Sequence, residues 1–156
     1  MNGKLVAYFS AGGVTKRLAE KLARVTGADL FEIRPVTPYS EEDLNWRNPL
    51  ARCNREWIGK KEVPVSDRVQ NMQDYQTLYI GFPIWYGIAP NIIGTFLEQY
   101  DLTGRKIVLF ATSGGSGIGK TAEKLKKHLS PGAEIRDARV MRAEISEDEL
   151  KNWAVY

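Results

Sequence analysis

Ile107-Val108-Leu109-Phe110-Ala111-Thr112-Ser113-Gly114-Gly115-Ser116-Gly117-Ile118-Gly119 joins an apolar run to a loop of almost bare backbone. Residues 107–112 are too few for a helix and carry β-branched and aromatic side chains, so they read as a strand buried on both faces. Two other runs share that character, residues 5–9 (Leu-Val-Ala-Tyr-Phe) and 78–82 (Leu-Tyr-Ile-Gly-Phe). Two further strand candidates, residues 30–34 and 134–141, are interrupted by charge and suit sheet edges. Helical patterns separate the strands. One starts near Thr15, aligns Leu18, Leu22 and Val25, and stops at Gly27. A second aligns Ile92, Phe96 and Tyr100, and a third Ile118, Ala122, Leu125 and Leu129. A last short helix opens at Ser146 with Glu149 three residues on, a capping box.

Alternating strands and helices predict an α/β fold with a doubly wound, five-stranded parallel sheet. Strands one, three and four are central and strands two and five are edges. The order 2-1-3-4-5 satisfies this, whereas 3-2-1-4-5-6 would place strand two inside. The loops after strands one, three and four then converge at the carboxyl end of the sheet.

The 156 residues suit one domain, 1–156, with one sizeable core. An apolar fraction of 43% and a charged fraction of 26% are ordinary for a soluble globular protein. One cysteine, Cys53, excludes an internal disulfide, and one histidine, His128, leaves zinc or haem ligation without a ligand set. His128 closes a lysine-rich helix and reads as a surface residue. The net charge of +3 is dispersed along the chain, a poor match for nucleic-acid binding. The apolar segment that follows Lys4 is too short for a signal peptide or membrane span, so a cytoplasmic location is expected. Residues 36–76 are least readable. Asn48-Pro49 suggests a helix start with Leu50, Cys53 and Trp57 on one face, and the stretch is expected to be a helix-bearing excursion. Trp46, Arg52 and Arg55 could form a lid there, although a solvated helix with one buried tryptophan is the favoured reading.

Three loops carry the chemistry. The first, Ser10-Ala11-Gly12-Gly13-Val14-Thr15, places glycines and two hydroxyls at a helix amino terminus, an arrangement that attracts phosphate. A tight turn would explain its glycines equally well. The second, Pro83-Ile84-Trp85-Tyr86-Gly87-Ile88-Ala89-Pro90, offers aromatic rings on which a planar heterocycle could stack. The third, from Thr112 to Gly119, has four glycines within residues 114–119, more than a structural turn requires. It presents N–H donors to the edge of a flat ring.

With these loops in order, the chain resembles the flavodoxin family, particularly small bacterial flavodoxin-like proteins. Those read close to Ser-Arg-Thr-Gly-Asn-Thr, Pro-Ile-Trp-(Trp/Tyr)-Gly and Thr-Ser-Gly-Gly-Ser-Gly at the three loops. The resemblance covers nearly the whole chain, including Asp43-Leu44-Asn45-Trp46. It implies flavin mononucleotide (FMN) as cofactor, electron transfer as function, and unidentified redox partner proteins. Ser10, Gly12, Gly13, Val14 and Thr15 would hold the phosphate. Trp85 would flank the isoalloxazine with Tyr86 adjacent, and Gly87 would present a carbonyl near N5. Residues 113–117, among them Ser113, Gly114, Gly115 and Gly117, would meet the pyrimidine edge, and Pro83, Ile84 and Thr112 would also belong to the cofactor site. The chain departs from the family in three ways. Gly12 and Val14 replace a usual threonine and asparagine, the third loop lacks an aromatic, and the protein is basic where familiar carriers are acidic.

Three other readings compete. Residues 114–121 match G-x-x-x-x-G-K-[ST], the signature of a P-loop nucleotide triphosphatase. That chemistry also needs a carboxylate near a strand end to hold Mg²⁺, and none follows strands one, three or four. A dinucleotide dehydrogenase fails on the first loop, which lacks G-x-G-x-x-G, and on Arg34-Pro35, where an acidic ribose partner belongs. An FMN-dependent NAD(P)H:quinone-type oxidoreductase shares every flavin feature. The carrier is preferred to it because no second nucleotide site is legible.

Overall fold

The computed structural model describes residues 3–58, 62–115 and 117–156. Strands β1 (Gly3–Tyr8), β2 (Asp29–Glu32), β3 (Tyr75–Pro83), β4 (Lys106–Thr112) and β5 (Glu134–Val140) form one sheet in the order β2-β1-β3-β4-β5. Every pairing is parallel, and one row crosses the sheet from Phe31 through Ala7, Ile80 and Leu109 to Ala138. The edge assignment follows from burial, since β2 and β5 stay half-open while β1, β3 and β4 are covered.

Two cores lie on the two faces, and side-chain alternation sorts them. On one face, Val6, Tyr8, Tyr79, Val108 and Phe110 pack with Leu18, Ala19 and Leu22 of α1 (Val14–Thr26) and Leu150 of α5 (Glu147–Trp153). On the other, Leu5, Ala7, Leu78, Ile80, Phe82, Ile107 and Leu109 pack with Ile92, Ile93, Phe96 and Leu97 of α3 (Asn91–Glu98) and Leu125 of α4 (Thr121–Lys126). Gly27 ends α1 in the left-handed conformation, as expected of a C-terminal stop. Ser146 caps α5 by accepting the Glu149 N–H at 3.1 Å. Ile118, Leu129 and Tyr100 lie beyond the ends of their helices but still join the core.

Gly81 shows where the packing has no slack. A methyl group there would sit 2.2 Å from the Phe110 ring in the middle of the sheet. Gly81→Ala is expected to lower stability by about 1–3 kcal/mol through overpacking. A urea midpoint that falls at unchanged slope would register it.

The 36–76 excursion holds α2 (Arg52–Ile58), and Pro35 makes an isolated antiparallel bridge to Val65. Its helix starts three residues later than Asn48-Pro49 suggests. The Asn48 Oδ1 accepts the Leu50 N–H at 3.0 Å, which closes a turn in place of a helix start. Leu50 therefore stands 78% exposed and leaves the face that Cys53 keeps. The excursion also has no buried tryptophan among its described residues, for Trp46 is 64% and Trp57 43% exposed.

Candidate functional site

Parallel strands β1, β3 and β4 deliver their following loops to one end of the sheet, at the point where the strand order reverses. There the chain encloses an open cavity of about 710 Å³. From the first loop it is lined by Gly12, Val14 and Thr15, together with Ala11. From the second it takes Pro83, Ile84, Trp85 and Tyr86, and from the third Thr112, Ser113, Gly114 and Gly115. Ser10, Gly13, Gly87 and Gly117 stand outside that lining, and Ser116 lies outside the described residues. Leu44, Trp46 and Cys53 of the excursion complete it. Among the described lining residues none carries a charge.

The first loop is organised by Ser10. Its Oγ accepts the N–H groups of Gly13 at 3.0 Å and Lys16 at 3.2 Å, while its own proton remains to be donated. Gly13 takes φ 92°, a left-handed turn that starts α1 and that only glycine adopts cheaply. Thr15 is buried and shares a hydrogen bond of 2.8 Å with Thr112, which ties the first loop to the end of β4. Side chains built at Gly12, Gly114 and Gly115 would meet nothing within 4 Å. Packing of the protein on itself therefore does not explain these three glycines, in contrast to Gly81.

The second loop is a two-residue reversal. Trp85 and Ile88 exchange backbone hydrogen bonds of 2.9 and 3.1 Å around Tyr86 (φ 55°) and Gly87 (φ 79°). Two positive φ angles define a type I′ turn, and Tyr86 bears its conformational cost without glycine's freedom. Its ring tilts over Trp57 at 4.8 Å, and its hydroxyl donates to Asn54 Oδ1 while lying 3.5 Å from Cys53 Sγ. Burial, followed by the Cys53 hydrogen bond, pushes the Tyr86 phenol well above its ordinary range. Gly87 directs its carbonyl to the start of α4, where the Thr121 hydroxyl lies 3.5 Å away.

Trp85 meets Phe9 and Tyr39 edge-on, at ring separations of 5.7 and 5.4 Å. Tyr39 is held from two sides: Arg52 lies 4.0 Å over its ring and Glu56 accepts its hydroxyl proton, and Arg52 Nε in turn pairs with Glu56 at 2.9 Å. Burial and the Glu56 hydrogen bond raise the Tyr39 phenol far above its usual range. Arg52 thus braces the wall behind Trp85 and does not serve a lid.

The P-loop reading fails on geometry. A phosphate loop uses its Ser/Thr hydroxyl on Mg²⁺, but Thr121 is fully buried and donates to the Ile118 carbonyl at 2.5 Å. Lys120 is exposed at the start of α4 and does not line the cavity. Lys120→Ala is therefore expected to leave ligand affinity within about three-fold. Mg-ATP is expected to leave the melting temperature unchanged, since binding to the folded state alone would raise it by mass action.

A doubly wound sheet with three converging loops at its switch point defines the flavodoxin-like class of α/β proteins. The Flavodoxin family model matches residues 3–155, and the chain belongs to that family. A protein from Bacteroides eggerthii DSM 20697, provisionally named a flavoprotein, shares 39% identity over 98% of this chain and 96% of its own, with a TM-score of 0.88. Another so named, from Bacteroides uniformis ATCC 8492, shares 35% over 97% of both chains, with a TM-score of 0.90. A flavoprotein from Lactobacillus acidophilus NCFM, crystallised with FMN, has the same fold at 21% identity over 99% of both chains and a TM-score of 0.71. No curated protein matches the sequence. Among the described residues no helix is long and apolar enough to cross a membrane.

Proposed function

We propose that this chain binds FMN in the three-loop cavity and carries electrons between protein partners in the cytoplasm. The observation that carries the reading is the cavity's lining, with Thr15 and the open Gly12 at one helix amino terminus and aromatic rings beside a second glycine loop. Family membership and the FMN-bound neighbour support FMN as the cofactor.

The residues fit that group. A phosphate suits the loop from Ser10 to Thr15, where α1 opens toward the cavity with no acid in its first turn. A planar ring suits the Trp85–Tyr86 wall and the apolar Ile84 and Pro83, and its polar edge suits Ser113 to Gly115. FMN supplies the redox chemistry, accepting and releasing electrons singly or in pairs. The chain holds the phosphate, orients the ring, and limits water to the open side. The Tyr39–Arg52–Glu56 brace keeps Trp85 in place while electrons pass.

The absorption spectrum of the purified protein, with its chromophore released and identified, tests the cofactor. Flavin bands with FMN in the extract are expected, and no uptake at micromolar FMN would sink the reading. Steady oxidation of NAD(P)H by the holoprotein alone would replace the carrier with an FMN-dependent oxidoreductase.

A further inference from the structure

Asn54 touches neither the phosphate loop nor the cavity, yet it bonds to two of the segments that line it. It is 8% exposed on α2, between the lining residue Cys53 and the arginine at 55. Its Nδ2 donates to the carbonyls of Trp46 and Asn48, each at 2.7 Å, and its Oδ1 accepts the Tyr86 hydroxyl proton. Trp46 and Tyr86 both line the cavity, and they come from segments forty residues apart in the chain. A buried amide with both donors and its acceptor in use is costly to disturb on either side.

We infer that Asn54 is a positioning residue that fixes the Trp46 segment relative to the Tyr86 turn and so sets the slot in which the flavin ring lies. The inference rests on the FMN reading for the identity of the ring. The bridge acts twice on Tyr86, because it supplies the hydroxyl partner and helps hold a residue whose backbone φ of 55° is unfavourable for tyrosine. Released from Asn54, the turn loses a restraint on its strained conformation, and Trp46 loses the bond that anchors its carbonyl. The ring slot loosens while the phosphate loop, built from Ser10, Gly13 and Thr15, keeps its own bonds.

Two measurements separate positioning from mere stability. The first needs no cofactor. In Asn54→Leu, amide hydrogen exchange in residues 44–48 and 85–88 of the free protein is expected to quicken together, with residues 10–16 unchanged. Exchange that quickens in one segment only, or across the whole chain, would overturn the bridge. The second compares FMN with lumiflavin, a ring lacking ribityl phosphate. Asn54→Leu is expected to weaken both by the same factor, about ten-fold for a buried hydrogen-bonded amide. Adding Tyr86→Phe removes the hydroxyl that has lost Asn54 as its acceptor, and the double variant is expected to regain melting temperature without regaining ring affinity. Recovery of affinity along with stability would make Asn54 structural only. A wild-type protein that binds lumiflavin and FMN equally would sink the phosphate assignment and leave the bridge standing. A wild type that binds neither, with normal exchange in both segments, would remove the ring and overturn the slot.

Discussion

Ser10→Ala and Thr15→Ala are each expected to weaken FMN binding about ten-fold or more while changing riboflavin binding by less than about three-fold. The difference arises because riboflavin lacks the phosphate. A hydroxyl that donates to a phosphate dianion makes a charge-assisted hydrogen bond worth roughly 1.5–3 kcal/mol, which is about ten-fold or more in affinity. Both side chains have a proton to give. Ser10 accepts two N–H bonds and spends no proton on them. In the Thr15–Thr112 pair either hydroxyl can be the donor, and with Thr112 donating the Thr15 proton is left for the ligand. Ser10→Ala also removes an acceptor at the start of α1, which costs stability on the order of 1 kcal/mol. Thr15→Ser restores the hydroxyl and is expected to recover most of the affinity. Titration of the free protein with both flavins decides the matter. Equal losses for FMN and riboflavin would place these hydroxyls away from the phosphate.

The sheet was legible because its central strands must be apolar on both faces, and residues 5–9, 78–82 and 107–111 are. The charge in β2 and β5 then fixed the edges, and the strand order followed. The three loops were legible for a different reason: glycines that the protein does not need for its own packing accumulate where a ligand approaches, as at Gly12, Gly114 and Gly115. The excursion gave no such signal. Its conformation depends on single side chains bonding to distant backbone, Asn54 to Trp46 and Asn48, and Arg52 to Thr37. Such bonds leave no period in the sequence. Leu44 and Cys53 consequently went unnoticed as lining residues, although Trp46 lay in the Asp43-Leu44-Asn45-Trp46 stretch that carries part of the family resemblance. Asn48-Pro49 misled because the dipeptide serves a turn as readily as a helix start.

The absence of charge among the described lining residues bears on the potential of the bound flavin. Fully reduced FMN is an anion when its ring N1 is deprotonated, so neighbouring carboxylates destabilise it and neighbouring cations stabilise it. Familiar carriers of the family are acidic, whereas this chain has a net charge of +3 and no charged group among the described lining residues. Lys16, Arg17 and Lys120 adjoin the first and third loops, but all are exposed and lie outside the lining, where salt screens them. What distinguishes the site is therefore chiefly the missing carboxylates. At roughly 10 Å and an effective dielectric of about 20–40, one charge contributes on the order of 1 kcal/mol. That is roughly 40 mV for a one-electron step. If two or three such charges are absent here, the second one-electron couple is expected to lie about 100 mV less negative than in acidic flavodoxins. The substitution Leu44→Glu puts a carboxylate on the cavity wall and is expected to lower that couple by about 40 mV, with the shift shrinking as salt rises. Spectroelectrochemical titration of both proteins at two salt concentrations measures it. A wild-type couple as low as that of the acidic carriers, together with a Leu44→Glu variant that does not move, would show that hydrogen bonding to the ring outweighs charge. The Tyr86–Gly87 turn, with its two left-handed residues beside the aromatic wall, would then be the segment that sets the potential.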